Sequence, residues 1–183
     1  MLALPVSAAL PLDPAAATVS GVVSTADTTG QGWYSNEPGL SPSVVGSSSF
    51  GSRWSASVSG QVYAPLIRSG STVITATENN EVDGLNLGDG SKLWTRSLGQ
   101  PWPTSTIGCT DLTPNVGVTG RPVLSPDGST VYLASKTYSG TDTAHPVFNL
   151  HSLSVATGAE LPGWPVATPG RIIGSVTTAD LTG

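Results

Sequence analysis

The strongest constraint on this chain lies at residues 60–98, where tight-turn signals separate four short β-type stretches. Residues 61–67 read as a first strand of edge type, because Pro65 has no amide hydrogen to give a ladder. Arg68, Ser69 and Gly70 turn the chain. Residues 71–77 alternate Thr72, Ile74 and Ala76 with Val73, Thr75 and Thr77, and such β-branched side chains suit a pleated surface. The polar run Glu78-Asn79-Asn80-Glu81 turns again, and Val82, Gly84, Leu85 and Leu87 mark a third strand. Gly88-Asp89-Gly90 is a tight turn, since glycine enters positive φ without a steric cost. Residues 91–97 form the fourth strand around Leu93 and Trp94. Turns this short demand an antiparallel meander, because parallel strands need long crossovers, and no capped amphipathic helix is evident in the sequence.

A second copy follows. Pro122 lies 57 residues after Pro65, and Ser129 lies 58 after Ser71. Leu150, Leu153, Gly158 and Leu161 each lie 68 after Val82, Leu85, Gly90 and Leu93. The spacing therefore grows by ten between the second and third strands of the copy. That growth places an insertion at residues 138–148, whose polar, Gly- and Pro-containing composition predicts a surface loop. Conserving strand pattern while varying loops is the habit of stacked or radial repeats.

The segments VDGLNLGDGSKLW and LHSLSVATGAEL resemble the blade-closing pattern V-x-A-L-D-x-x-T-G-x-x-x-W of quinoprotein-like (PQQ-like) β-propeller repeats. Gly84 stands for the small alanine, Asn86 for the aspartate and Asp89-Gly90 for Thr-Gly, with Trp94 closing the blade. In the second copy Ser152, Leu153, Ser154, Thr157 and Gly158 fill these places, and the tryptophan is missing or displaced to Trp164. The linker CTDLTPNVGVTGRPVL also resembles a recurring segment of large secreted bacterial propellers. The resemblance spans residues 50–173 and implies an all-β fold: a partial β-propeller of four-stranded antiparallel blades. Full blades are expected at residues 60–98 and 118–166, with partial blades at each end. Trp54, 40 residues before Trp94, is assigned to the last strand of a preceding blade, and residues 170–183 to the start of the next. Trp54, Trp94, Gly90 and Gly158 are expected to be structural blade residues. Propellers close with about 4–8 blades, so the chain is expected to be an N-terminal fragment that needs further blades or chains to complete a ring.

Charged residues make up 10% of the chain, against about 25% in ordinary globular proteins, and the net charge is -5. No Lys/Arg cluster exists, which removes the electrostatic footprint of a nucleic-acid or anionic-membrane binder. Residues 1–18 resemble a leader, with a short apolar core and the small-residue run Ala15-Ala16-Ala17, and are too short and Pro-broken for a membrane span. Residues 19–49 are Ser/Thr/Gly/Pro-rich, with Trp33 and Tyr34 as packing residues. The long connection at residues 99–117 holds Pro101, Trp102, Pro103 and the single cysteine, Cys109.

Cys109 has no intrachain partner and no activating neighbour in sequence, so it reads as a buried thiol or one paired beyond this chain. His145 and His151 fall short of the three or four ligands that zinc requires, and His151, opposite in parity to Leu150 on its strand, is expected to face the blade surface. Asp89, Asp127, Glu78 and Glu81 fall in turns, without the D-x-D-x-D-G calcium spacing. Trp102, held between prolines in a loop, is the best candidate for an exposed, ligand-facing residue, the alternative being a plug of the loop onto its own scaffold. Quinone-dependent dehydrogenases of the resembling family hold PQQ with a stacking tryptophan, a vicinal disulfide, calcium-binding carboxylates and a catalytic aspartate. A chain with one cysteine has no vicinal pair, and no matching cluster carries over, so no cofactor is expected in this segment. The expected function is a non-enzymatic, exported binding or scaffolding module for protein or glycan at the cell envelope. The alternatives are the N-terminal part of a PQQ-dependent dehydrogenase and the propeller of a carbohydrate-active enzyme.

Overall fold

A computed structural model describes residues 40–108 and 110–168 of the chain. The expected leader, most of the Ser/Thr-rich segment with Trp33 and Tyr34, Cys109 and the start of the next blade at 170–183 lie outside the described residues. Helix α1 (Pro42–Val45) is a single turn, started by Pro42 at the first helical position and capped by Ser41, whose Oγ accepts from Val44 N at 3.2 Å.

The first sheet contains β1 (Ile67–Ser69), β2 (Thr72–Ala76), β3 (Glu81–Asn86) and β4 (Lys92–Ser97), antiparallel in the order β1-β2-β3-β4. A two-stranded ribbon of β5 (Trp102–Pro103) and β6 (Asn115–Val116) follows. The second sheet contains β7 (Val123–Leu124), β8 (Thr130–Ser139), β9 (Asp142–Ser154) and β10 (Val166–Thr168), again an antiparallel meander.

The two sheets face each other across one apolar core. Ile74, Ala76, Val82 and Leu98 of the first meet Val131, Leu133, Leu153 and Val155 of the second. Strand alternation explains this. Thr72, Ile74 and Ala76 share one side of β2, opposite Gly84 and Val82 of β3, while Val131 and Leu133 of β8 pair with Leu153 and His151 of β9. A main-chain bond from Val118 N to the Thr77 carbonyl and a side-chain bond from Asn80 Nδ2 to the Lys136 carbonyl stitch the seam. Two stacked four-stranded meanders of this kind are consecutive blades, and the molecule is a partial β-propeller.

Several strand expectations need correction. Residues 61–66 are not in a ladder, and the first strand starts at Ile67; the Gln61 carbonyl instead accepts from Glu78 N in the β2–β3 turn. Residues 50–58 also lack a ladder, although Trp54, Ala56 and Val58 point inward in alternation; no described strand lies beside them to receive their amides. The insertion at 138–148 is not a loop. It lengthens the β8–β9 hairpin, whose turn at Gly140-Thr141 uses a left-handed Gly140 (φ +56°). Thr137 Oγ1 donates to the Val147 carbonyl and accepts from Asn149 Nδ2, so polar residues flanking the insertion tie the two strands together at its base. The fourth strand of the second blade is split: Glu160 bridges Leu153, then the chain detours before Val166 pairs with Leu150.

Candidate functional site

The seam between blades carries the chemistry-bearing side chains. Its apolar part repeats itself. Trp54 Nε1 donates to the Leu87 carbonyl at 2.9 Å, and the indole lies against Gly90. One blade later, Trp94 Nε1 donates to the Val155 carbonyl at 2.9 Å and lies against Gly158. Leu87 and Gly90 stand 68 residues before Val155 and Gly158, so the two contacts are equivalent. Both glycines have positive φ, +74° and +68°, and a Cβ on either would come within 3 Å of an indole carbon. Gly84 makes similar room: its Cβ would sit 2.8 Å from Trp94 Cζ2. The second blade has buried Ser152 at the place of Gly84, which closes that slot. Trp164 instead turns onto its own sheet, tilted against Tyr132 with centroids 6.0 Å apart.

The polar side chains form three clusters on the blade faces. On β3 and β4, fully buried Asp83 accepts from Thr95 Oγ1 and faces Lys92 Nζ at 3.0 Å, with Glu81 3.7 Å from the same ammonium. Lys92 is held above its usual value, first by its bond to Asp83. In the second blade, Ser135 Oγ lies 2.8 Å from His151 Nε2, and His151 Nδ1 lies 3.0 Å from Glu160 Oε2. Ser152 N donates to Glu160 Oε1, and Arg96 of the first blade approaches Glu160 at 3.8 Å. Third, buried Glu78 accepts from Gly117 N at 2.6 Å and from Thr119 Oγ1 at 3.0 Å, tying the β2–β3 turn to the entry of the second blade.

Ser135, His151 and Glu160 thus stand in the order hydroxyl, imidazole, carboxylate that activates a serine nucleophile. Ser135 and His151 are only 1% and 2% exposed, however, so the hydroxyl has no opening through which a carbonyl substrate would approach it. The geometry satisfies buried polar groups across the seam. Sequence reasoning placed His151 on the blade surface. The structure turns it inward beside Leu133, with its neighbour Leu150 outward. Ser135, Glu160 and Arg96 were missed, although the 68-residue spacing that pairs Asp83 with His151 and Lys92 with Glu160 was visible.

Trp102 is not the exposed residue expected from the sequence. It is 3% exposed, its Nε1 donates to the Thr143 carbonyl at 2.7 Å, and Lys136 Nζ sits 3.6 Å from the ring centroid. The linker plugs its own scaffold because the lengthened hairpin offers the indole both an acceptor and a cation. Burial lowers the pKa of Lys136. The exposed counterpart is the hairpin tip, where His145 Nδ1 pairs with Asp142 Oδ2 at 2.8 Å and both side chains stay in water; His145 is the leading cause of a lowered Asp142 pKa.

The turn acids hold local backbone. Asp89 accepts from Ser91 N and Oγ, and its pKa falls, chiefly through the amide. Asp127 accepts from Ser125 Oγ and from Ser129 N and Oγ, which lowers it to about 2. Glu78 and Glu81 are not free turn acids: the first is buried and the second opens β3. Among the described residues no group of three His, Cys, Asp or Glu side chains converges as a metal-binding set. Of the described tryptophans, Trp54, Trp94 and Trp102 are committed to carbonyls of the scaffold.

No family model and no curated protein matches the sequence. Among solved structures the chain is similar to the crystal structure of BamB from Moraxella catarrhalis, at 23% identity and a TM-score of 0.42, covering 62% of this chain and 27% of that one. The chain thus spans less than a third of that protein. No helix among the described residues is long and apolar enough to cross a membrane.

Proposed function

We propose that this chain is part of an exported β-propeller of the quinoprotein-like repeat type, acting as a binding or scaffolding module for protein or glycan at the cell envelope. One observation carries the proposal. The blades commit their buried titratable side chains to the seam, and the longest hairpin runs past its sheet to expose a polar tip. Residues 133–147 of that hairpin extend beyond the segments paired to β7 and β10. Trp102 braces them from the linker, so Asp142, His145 and the neighbouring Pro146 stand in water on a stiffened support. A rigid, solvent-exposed tip with few side chains to immobilise lowers the ordering cost of binding.

The test uses the full-length protein on an array of cell-envelope glycans, and in living cells with a photo-crosslinking residue at His145. The expected result is one saturable glycan class or one crosslinked protein species, lost in the Asp142→Ala/His145→Ala double variant at unchanged melting temperature. Turnover of an alcohol or sugar by the intact protein with added PQQ and calcium, abolished by substitutions within these two blades, would overturn the proposal in favour of a dehydrogenase. Export is checked by the N-terminal mass of the protein recovered from the envelope or medium; a full-length, unprocessed chain confined to the cytoplasm counts against it.

A further inference from the structure

We infer that a reversal of charge at equivalent positions, Lys92 in the first blade and Glu160 in the second, fixes which strand layer each blade face accepts, so that the chain encodes the order of its blades. The pairs are Asp83 with Lys92 and, 68 residues on, His151 with Glu160. Each closes at 3.0 Å on the blade face that looks back along the chain. The partner after the turn is a cation in the first blade and an anion in the second.

The layers that dock on these faces are also equivalent. Trp54, Ala56 and Val58 point inward in alternation on the first face, and Trp94, Arg96 and Leu98 do so on the second. The tryptophans make the same carbonyl bond and glycine contact at both seams, so they cannot tell one face from the other. The residue two places on can. Arg96 reaches Glu160 at 3.8 Å, whereas Ala56 brings no charge to the face that holds Lys92. Were the Trp94 layer of a second copy to dock on the first face, its Arg96 would meet an ammonium; were the Trp54 layer to dock on the second, Glu160 would lose its guanidinium. Discrimination between similar partners requires such a penalty on the wrong pairing, and misdocking of neighbouring units is the characteristic failure of repeat chains.

The test transplants the first pair into the second blade. His151→Asp with Glu160→Lys recreates the Asp83–Lys92 polarity beneath Arg96, and Ser135 Oγ can donate to the new carboxylate as Thr95 Oγ1 does to Asp83. Arg96→Ala is then measured by urea denaturation of the full chain in both backgrounds. In the natural background it should lower the folding equilibrium constant by roughly 3-fold, as partly exposed ion pairs do. In the transplanted background it should raise it, because the like-charge contact is removed. An effect of the same sign and size in both backgrounds overturns the inference. Should the transplant not fold, recovery of folding on adding Arg96→Ala supports it. The milder cycle of Arg96→Ala with Glu160→Gln decides independently: coupling that weakens with salt supports the inference, and strict additivity overturns it.

Discussion

Replacing Gly158 with alanine tests the seam at its tightest point. Gly158 is buried, sits at φ +68°, and a Cβ there would lie 2.7 Å from Trp94 Cδ2. The left-handed backbone alone costs an L residue about 1–2 kcal/mol. The indole must also retreat by about 1 Å to regain carbon–carbon contact distance. That retreat strains or breaks the Nε1 bond to the Val155 carbonyl, about 1 kcal/mol, and crowding a packed interface adds about 1–3 kcal/mol. The total expected loss is therefore roughly 3–6 kcal/mol. Gly140 provides the control: its φ is +56° and nothing lies within 4 Å of its Cβ position, so Gly140→Ala should cost only the backbone part, about 1–2 kcal/mol. Urea denaturation read by far-UV circular dichroism gives both values without relying on Trp94 fluorescence. On a Trp94→Ala background the cost of Gly158→Ala should fall to that of Gly140→Ala. Equal costs for the two glycines in the natural background, or an unchanged Gly158→Ala cost without the indole, would refute the seam mechanism.

Trp102→Ala should destabilise the chain by about 3 kcal/mol, the usual cost of emptying a buried tryptophan site; a melting temperature unchanged by that substitution would return Trp102 to the list of recognition residues. Asp127 titrates at about 2 when folded against 3.8 unfolded, so its contribution is present above the unfolded value and lost as pH falls from about 4 towards 2. The stability difference between natural protein and Asp127→Ala, followed by acid titration, should shrink across that window, and a pH-independent difference would contradict the assignment. A fluorophosphonate probe should leave Ser135 unlabelled in the folded chain, since Ser135 is 1% exposed; labelling abolished by His151→Ala would mean that the seam opens into a working nucleophile site.

The comparison of expectation with structure divides along the range of the forces involved. Strand identity in the first blade was legible from alternation and from turn glycines, because both act within a few residues; β2, β3 and β4 lie where Thr72–Ala76, Glu81–Asn86 and Lys92–Ser97 are found. The hairpin at 138–148 was not legible. Its polar composition resembles a loop, and only the ladder partners supplied by the opposite strand convert it to β-structure. Whether Trp102 plugs its own scaffold or faces outward was not decided locally, since its acceptor at Thr143 lies 41 residues away.

What the sequence by itself determined is the unit: short antiparallel strands, glycine turns and a 68-residue echo that demands equivalent contacts. What only the tertiary structure decided is the use of the polar residues. Asp83, His151 and Glu160 carry no local signal that separates a surface group from a buried one, because burial depends on which face a neighbouring blade covers. Once a blade docks, each buried charge must find a partner or cost several kcal/mol, and the partners it finds, Lys92 within its own blade and Arg96 across the seam, are set by the stacking of sheets.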